Sequence, residues 1–111
     1  MSRYREVALT CKIKPGGFSG ERVVLIAKVD GEYRGLAPRR YCWHENKEPL
    51  EADKPADGQT IPGLVAAIAL NAVGADRLIV SVPDGEILEV PKNTVTDRPM
   101  SEATEDVPLR S

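Results

Sequence analysis

Apolar and polar residues alternate near the start of the chain. From Val7 to Ile13 every second residue is apolar, whereas Thr10, Lys12 and Lys14 have the opposite parity. Successive side chains of a strand point to opposite faces, so this pattern predicts a strand with one buried face. Other stretches rich in apolar and β-branched residues predict strands at 22–29, 32–37, 41–43, 77–82, 86–90 and 94–96.

Turn-forming residues separate these predicted strands. The pairs Asp30-Gly31 and Asp84-Gly85 each stand between two apolar stretches. A tight hairpin turn needs positive φ angles, which Asp and Gly tolerate, so each pair predicts a hairpin. Pro38 and Pro91 end the returning strands, because proline has no N–H to donate to a sheet. The fold class predicted from these signals is mainly β.

The segment 61–74 is ambiguous. A helix at about 61–73 would have Thr60 as its N-cap and would end at Gly74, and four alanines favour it by propensity. As a strand, the same segment would be buried on one face or on both. Periodicity does not decide between the two. An α+β fold with one helix at about 61–73 therefore stays open beside the mainly β fold.

The second half of the chain repeats features of the first. Segments 21–32 and 76–86 each begin with an acid and an arginine, continue with apolar residues and turn at Asp-Gly-Glu. In both halves a proline and a basic residue follow the returning strand. A real repeat, with pseudo-repeats at about 5–44 and 62–96, makes 64–70 a strand. Each half is too short to bury a core alone, so the two must share one.

The order of strand, loop, strand, hairpin, strand, proline turn and short strand resembles the Src-homology-3-like small β-barrel. The resemblance covers both pseudo-repeats and concerns topology, not a family motif. It implies a small barrel, or two fused half-barrels, in a single domain over residues 1–98. The charged segment 45–60 is predicted to be an exposed linker, and 99–111 a mobile acidic tail.

Charge is distributed unevenly along the 111 residues, whose net charge is −2. Residues 1–44 carry nine basic and four acidic side chains, and residues 45–111 carry six basic and thirteen acidic ones. The difference indicates either an anion-binding face on the first half or attraction between the halves. The longest apolar run is too short for a membrane span, and the charged N-terminal segment lacks a signal core, so a cytoplasmic protein is expected.

The sequence contains no recognisable catalytic or metal-binding motif. Cys11, Cys42 and His44 are too few ligands for a zinc site, and no phosphate-binding loop or nucleophile elbow is present. We therefore predict no cofactor, no metal and no catalytic residue. The cysteines are expected to be unbridged: if Tyr41 and Trp43 face inward, Cys42 faces outward, on the opposite side of the barrel wall from Cys11.

One cluster combines cationic and aromatic side chains: Arg34, Arg39, Arg40, Tyr41 and Trp43. Arginine offers a planar fork to phosphates and carboxylates, and aromatic rings offer stacking faces. These five residues are the predicted partner- or ligand-binding site, with Arg39 and Arg40 exposed or paired with acids. The competing interpretation is that Tyr41 and Trp43 fill the core.

Three classes of function remain open. The prediction is a non-catalytic binding or accessory protein that docks on a protein partner through its β-barrel surfaces. The missing catalytic groups, the near-neutral charge and the acidic tail favour it. The alternatives are a nucleic-acid-binding barrel that uses the arginine and aromatic cluster, and a small-ligand binder or small enzyme with an unrecognised site.

Overall fold

The computed structural model describes residues 4–16, 20–50 and 59–99. This part of the chain is mainly β, and none of its helical turns is long and apolar enough to cross a membrane. The helix alternative at 61–73 is wrong, because that segment is a single strand. The strands are β1 (Arg5–Pro15), β2 (Glu21–Lys28), β3 (Gly31–Pro38), β4 (Cys42–His44), β5 (Ile61–Val73), β6 (Arg77–Ser81), β7 (Ile87–Pro91) and β8 (Val95–Asp97).

The strands form one antiparallel sheet in the order β3-β2-β1-β5-β6-β7. The two long strands, β1 and β5, pair with each other in the middle. On its second edge, β1 pairs with β8 at residues 7–9 and with β2 at residues 12–15. In the same way, β5 pairs with β4 at residues 63–65 and with β6 at residues 68–73. Each long strand therefore divides its second edge between two shorter strands.

The sheet curls into a half-barrel whose far ends meet. The backbone N–H of Val29 donates to the carbonyl oxygen of Glu89 at 2.9 Å, and the Tyr33 hydroxyl donates to the Asp84 carboxylate. Burial, and then the Asp84 carboxylate, raise the pKa of Tyr33, which keeps the phenol protonated as a donor. These contacts hold the β2–β3 hairpin against β7 and the turn that precedes it.

Both predicted hairpins form, although their turns differ. In the first, Lys28 pairs with Gly31, so Val29 and Asp30 make the turn and Gly31, at φ 145°, opens the returning strand. In the second, the loop is wider and runs from residue 82 to residue 86. The Val82 N–H donates to the Glu86 carbonyl oxygen at 3.0 Å. The Asp-Gly signal thus located the reversals but did not fix the length of the turns.

A 3₁₀ turn follows each returning strand, at Arg39–Tyr41 and at Lys92–Thr94. The residues before the turns, Pro38 and Pro91, adopt almost the same backbone angles, φ −62° and ψ 143° in one and φ −63° and ψ 143° in the other. Proline fixes φ near this value and donates no hydrogen bond. Each proline therefore ends its strand and directs the chain into the turn that leads to β4 or β8.

Buried apolar side chains lie on both faces of the sheet. The concave face carries the main core, and a second cluster lies on the outer face of β1 and β5, where Ala8, Leu64 and Ala66 pack with Trp43 and the half-buried Tyr41. The core interpretation is thus correct for Trp43, which has no exposed surface. The main core consists of Val7, Leu9, Ile13, Val24, Ile26, Ala37, Cys42, Leu50, Val65, Ala67, Ala69, Leu78, Val80, Val82, Leu88 and Val90.

The alanines of β5 explain why a helix-prone segment is a strand. Ala67 and Ala69 face the concave core, while Ala66 lies under Trp43 on the outer face. A central strand buried on both faces favours small side chains wherever a large ring packs above them. Tertiary packing therefore overrides the helix propensity of this stretch.

The cysteines are free, as predicted, but the reasoning about their positions was wrong. Trp43 points to the outer face, so its neighbour Cys42 points into the concave core, against which Cys11 also packs. The two thiols thus lie on the same side of the sheet. They stay apart because β1 and β4 flank β5 on opposite edges, which separates their Cα atoms by about 9 Å or more, beyond the reach of a disulfide.

The predicted linker and tail lie partly outside the described residues. Residues 45–48 are exposed, whereas Pro49 forms a bridge with Trp43 and Leu50 is buried in the main core. Pro99, at the start of the predicted tail, is also buried. Residues 51–58 and 100–111 lie outside the described residues.

Replacing Gly63 with alanine is expected to destabilise the fold by about 1–3 kcal/mol. A Cβ at this position would lie 2.5 Å from the backbone oxygen of Trp43 and would also collide with the Ile13 side chain. Urea unfolding of the Gly63→Ala variant measures the loss. Asn71→Ala, an exposed change in the same strand, is the control and should stay within about 0.5 kcal/mol of the parent chain. Equal stability of the two variants would contradict the close packing of β4 on β5.

Stability is expected to fall in alkaline solution through Cys42. Burial raises the pKa of this thiol to about 12, against the opposing effect of Arg22. The thiol loses its proton near pH 8.5 in the unfolded chain but keeps it in the folded protein. The stabilising contribution of Cys42 to the free energy of unfolding is therefore complete below about pH 8.5 and declines above it. Each such group contributes a slope of up to about 1.4 kcal/mol per pH unit.

Urea unfolding between about pH 8.5 and 10.5 tests this expectation. The free energy of unfolding should decline less steeply in Cys42→Ala than in the parent chain. Val65→Ala, another core truncation, should lower stability without changing the slope. A Cys42→Ala slope equal to that of the parent chain would show that this thiol is not linked to folding.

Candidate partner-binding cleft

The structure brings together only part of the predicted site. Arg40 and Tyr41 are in contact, with the guanidinium 4.8 Å from the ring centroid. Arg34 lies on the outer face of the β2–β3 hairpin, directly opposite Leu25. Trp43 is buried, so its ring faces side chains of the protein instead of solvent. The exposed members of the predicted set are Arg34 and Arg40, and Tyr41 is half-buried.

Arg39 is buried and has a structural role. Its side chain enters the protein from the first 3₁₀ turn, and Nη1 donates to the carbonyl oxygen of Leu50 at 2.9 Å. Arg39 is therefore not exposed, and burying its charge has a cost. A backbone carbonyl supplies part of the compensation here. Arg39 thereby anchors the chain around Leu50 and is removed from the binding surface.

Arg98 is the residue that sequence reasoning missed. Its guanidinium lies 5.6 Å from the centroid of the Tyr41 ring and 5.7 Å from that of the Trp43 ring. Its Nη1 is 3.2 Å from Oε1 of Glu6, and its side chain is only 18% exposed. A cation held over aromatic rings contributes about 0.5–2 kcal/mol, and most when it is desolvated. No local sequence pattern predicts this contact, which joins the end of β8 to the start of β4.

A cleft of about 260 Å³ opens beside Tyr41 and Arg98. We call it the Tyr41–Arg98 cleft. Ala66, on the outer face of β5, forms part of its wall, and its short side chain leaves space that a larger residue would fill. The residues that line it are Glu6, Tyr41, Ala66, Ala67, Ile68, Ser81, Val82, Pro83 and Arg98.

The cleft combines an apolar wall with charged groups at its edge. Ile68 and Pro83 offer contacts to an apolar side chain, and the guanidinium of Arg98 offers donors to a carboxylate. The carboxylate of Glu6 forms an ion pair with that guanidinium, but the Glu6 side chain is 66% exposed. Because Glu6 is held at the surface, its side chain can turn away and leave this guanidinium to a carboxylate of a ligand.

The described residues offer no arrangement for metal binding or thiol chemistry. They contain no group of three or more His, Cys, Asp or Glu side chains that could hold a metal ion. Burial raises the pKa of Cys11, with a further contribution from Cys42, whose own pKa is about 12. Both thiols are therefore protonated at neutral pH and are poor nucleophiles.

Replacing Arg98 with alanine is expected to uncover Trp43, the only tryptophan of the chain. The tryptophan emission should shift to longer wavelength, and acrylamide should quench it more strongly, because the guanidinium over the ring is lost. Arg40→Ala is the matched control, since Arg40 contacts Tyr41 at 4.8 Å and is exposed. Identical spectra for the parent chain and Arg98→Ala would contradict the stacking.

Comparison with known proteins assigns no family to this chain. No protein-family model, no curated protein and no solved structure matches it. The geometry of the cleft and of the other surfaces is therefore the basis for a function.

Proposed function

We propose that this protein is a non-catalytic binding or accessory protein that docks on a protein partner. The Tyr41–Arg98 cleft takes a side chain of that partner, one with an apolar body and an acidic neighbour. The observation that carries the proposal is a half-buried tyrosine stacked with arginine beside an apolar wall. Tyrosine and arginine are enriched among the residues that dominate protein–protein affinity, and such residues lie in pockets.

The same geometry makes a nucleic-acid ligand less suitable for the cleft. Stacking of bases needs accessible rings, and Trp43 has none of its surface exposed. Arg39 is also buried, which removes a second group from the predicted nucleic-acid surface. These contacts favour a polypeptide ligand.

The proposal includes an internal repeat with a Src-homology-3-like order of strands in each half. The support is the pairing of the long strands. The pairing of β1 with β8 begins at residue 7, and that of β5 with β4 begins 56 residues later, at residue 63. The pairing of β1 with β2 begins at residue 12, and that of β5 with β6 begins again 56 residues later, at residue 68. Under this shift Leu9 is equivalent to Val65, and these two residues pair with each other. An approximate twofold axis would pass through that pair.

The repeat makes the chain a single domain with two related outer surfaces. The main core runs through both halves without a break, which supports one domain over residues 1–98. The two free thiols support the cytoplasmic location expected from the sequence. On such a scaffold, the differences between the two halves mark the surfaces that serve binding.

Selection from a displayed library of random twelve-residue peptides tests the docking function. Peptides selected on the parent chain should bind Tyr41→Ala about tenfold or more weakly, because the ring forms the wall of the cleft. Tyr4→Ala is the matched control: Tyr4 is 60% exposed and does not line the cleft. Circular dichroism of both variants establishes that the fold is retained.

The result that overturns the proposal is a set of peptides whose affinity is the same for both variants. Failure to select any peptide, together with salt-dependent binding of a thymidine oligonucleotide that Arg40→Ala abolishes, would favour the nucleic-acid alternative.

A further inference from the structure

A second surface, separate from the cleft, combines cations with apolar side chains. On the outer face of the first three strands, Lys12 lies opposite Leu25, and Leu25 lies opposite Arg34. In the next row of paired residues, Lys14 lies opposite Val23, and Val23 lies opposite Leu36. We call this surface the basic face, and it consists of Lys12, Lys14, Val23, Leu25, Arg34 and Leu36.

The cations of the basic face are not used by the fold. Within residues 4–16, 20–50 and 59–99, Lys12, Lys14 and Arg34 form no ion pair. Other cations of the same sheet do, such as Arg77, whose Nη1 is 2.7 Å from Oε2 of Glu89. Leu36, on the same face, is 48% exposed. Charge and apolar surface are therefore both available to a partner.

The corresponding row of paired residues in the other half contains no cation. If the proposed repeat holds, the row equivalent to Lys12, Leu25 and Arg34 is the paired row of Ile68, Ser81 and Ile87. That row contains no charge, yet the same strands pair in the same order. The cations are thus not required by the scaffold, which indicates that they serve an interaction.

The dimensions of the basic face fit a helix. Two strand spacings separate β1 from β3, about 10 Å, and an α-helix with its side chains is about 10–12 Å wide. A helix lying along β2 would place its apolar stripe on Val23 and Leu25. Its flanks would then meet Lys12 on one side and Arg34 on the other. Acidic residues on both flanks match these cations.

We infer that the basic face docks an acidic amphipathic helix of a partner protein. The inference does not depend on the cleft. A nucleic acid fits this surface less well, because the six side chains that form it include no aromatic ring on which a base could stack. The two acids that border the face, Glu21 and Glu32, lie at its ends and not between the cations.

The probe is a fluorescent amphipathic peptide of about twenty residues made from leucine, alanine and glutamate, a length at which helices are stable enough to form on a surface. Its isomer with the same residues in scrambled order lacks the apolar stripe. The parent chain should bind the first peptide at low salt and bind the isomer at least about tenfold more weakly. Binding should weaken as salt is added, because exposed charges contribute to it.

Variants on both flanks of the face test the assignment. Lys12→Gln with Arg34→Gln should reduce affinity about tenfold at low salt. Arg5→Gln with Lys92→Gln makes the same change in net charge at exposed positions outside the face and should have little effect. The thermal midpoints of all variants establish that folding is unchanged.

The apolar part of the face has its own matched pair of variants. Leu36→Ser should weaken binding of the peptide. Ile87→Ser should not, although Ile87 is 55% exposed and the substitution is of the same kind. Three results overturn the inference: equal binding of the scrambled isomer, equal losses in the flank and control variants, or tighter binding of a thymidine oligonucleotide than of the peptide. None of these variants alters Tyr41 or Arg98, so the outcome is independent of the cleft.

Discussion

The pairing of β1 with β5 is the interaction on which the rest of the structure depends. It runs through nine residue pairs, from Arg5 opposite Ala69 to Ile13 opposite Ile61. Shorter strands occupy the second edge of each long strand, so neither long strand is an edge of the sheet. At the centre both faces are covered as well, because the neighbours Ala8 and Leu9 point to opposite faces and neither is exposed. A strand surrounded in this way needs small residues beside large ones.

This central pair also determines where the cleft lies. β4 returns to β5 and β8 returns to β1, so the ends of the two halves arrive at neighbouring points on the outer face. Trp43 lies in β4, and Arg98 is the residue that follows β8. The guanidinium of Arg98 lies over the Trp43 ring. The cleft is therefore built by both halves, with lining residues from β1, β5 and β6 and from the segments next to β4, β6 and β8. Such a site depends on the fold as a whole and not on one loop.

Local signals in the sequence predicted the strands and their reversals, because proline and glycine restrict the backbone locally. The face of the sheet to which each side chain points was harder to predict from the sequence. Alternation showed that Cys42 and Trp43 point to opposite faces, but only packing decides which face each takes. The burial of Arg39 depends on Leu50, and the stacking of Arg98 depends on rings more than fifty residues away. Contacts of this kind leave no pattern in a single sequence.

The positive charge of the first half is explained by its distribution in the fold. Attraction between the halves receives no support from the Arg98–Glu6 ion pair, which crosses them with the opposite polarity. Arg22 and Arg39 are buried, so their charges are not available at the surface. The remaining cations on the outer face of β1 and β3 surround apolar side chains and are not paired with acids of the described residues. Charge that neither folds the chain nor joins its halves, and that borders exposed apolar surface, is the physical signature of a docking surface.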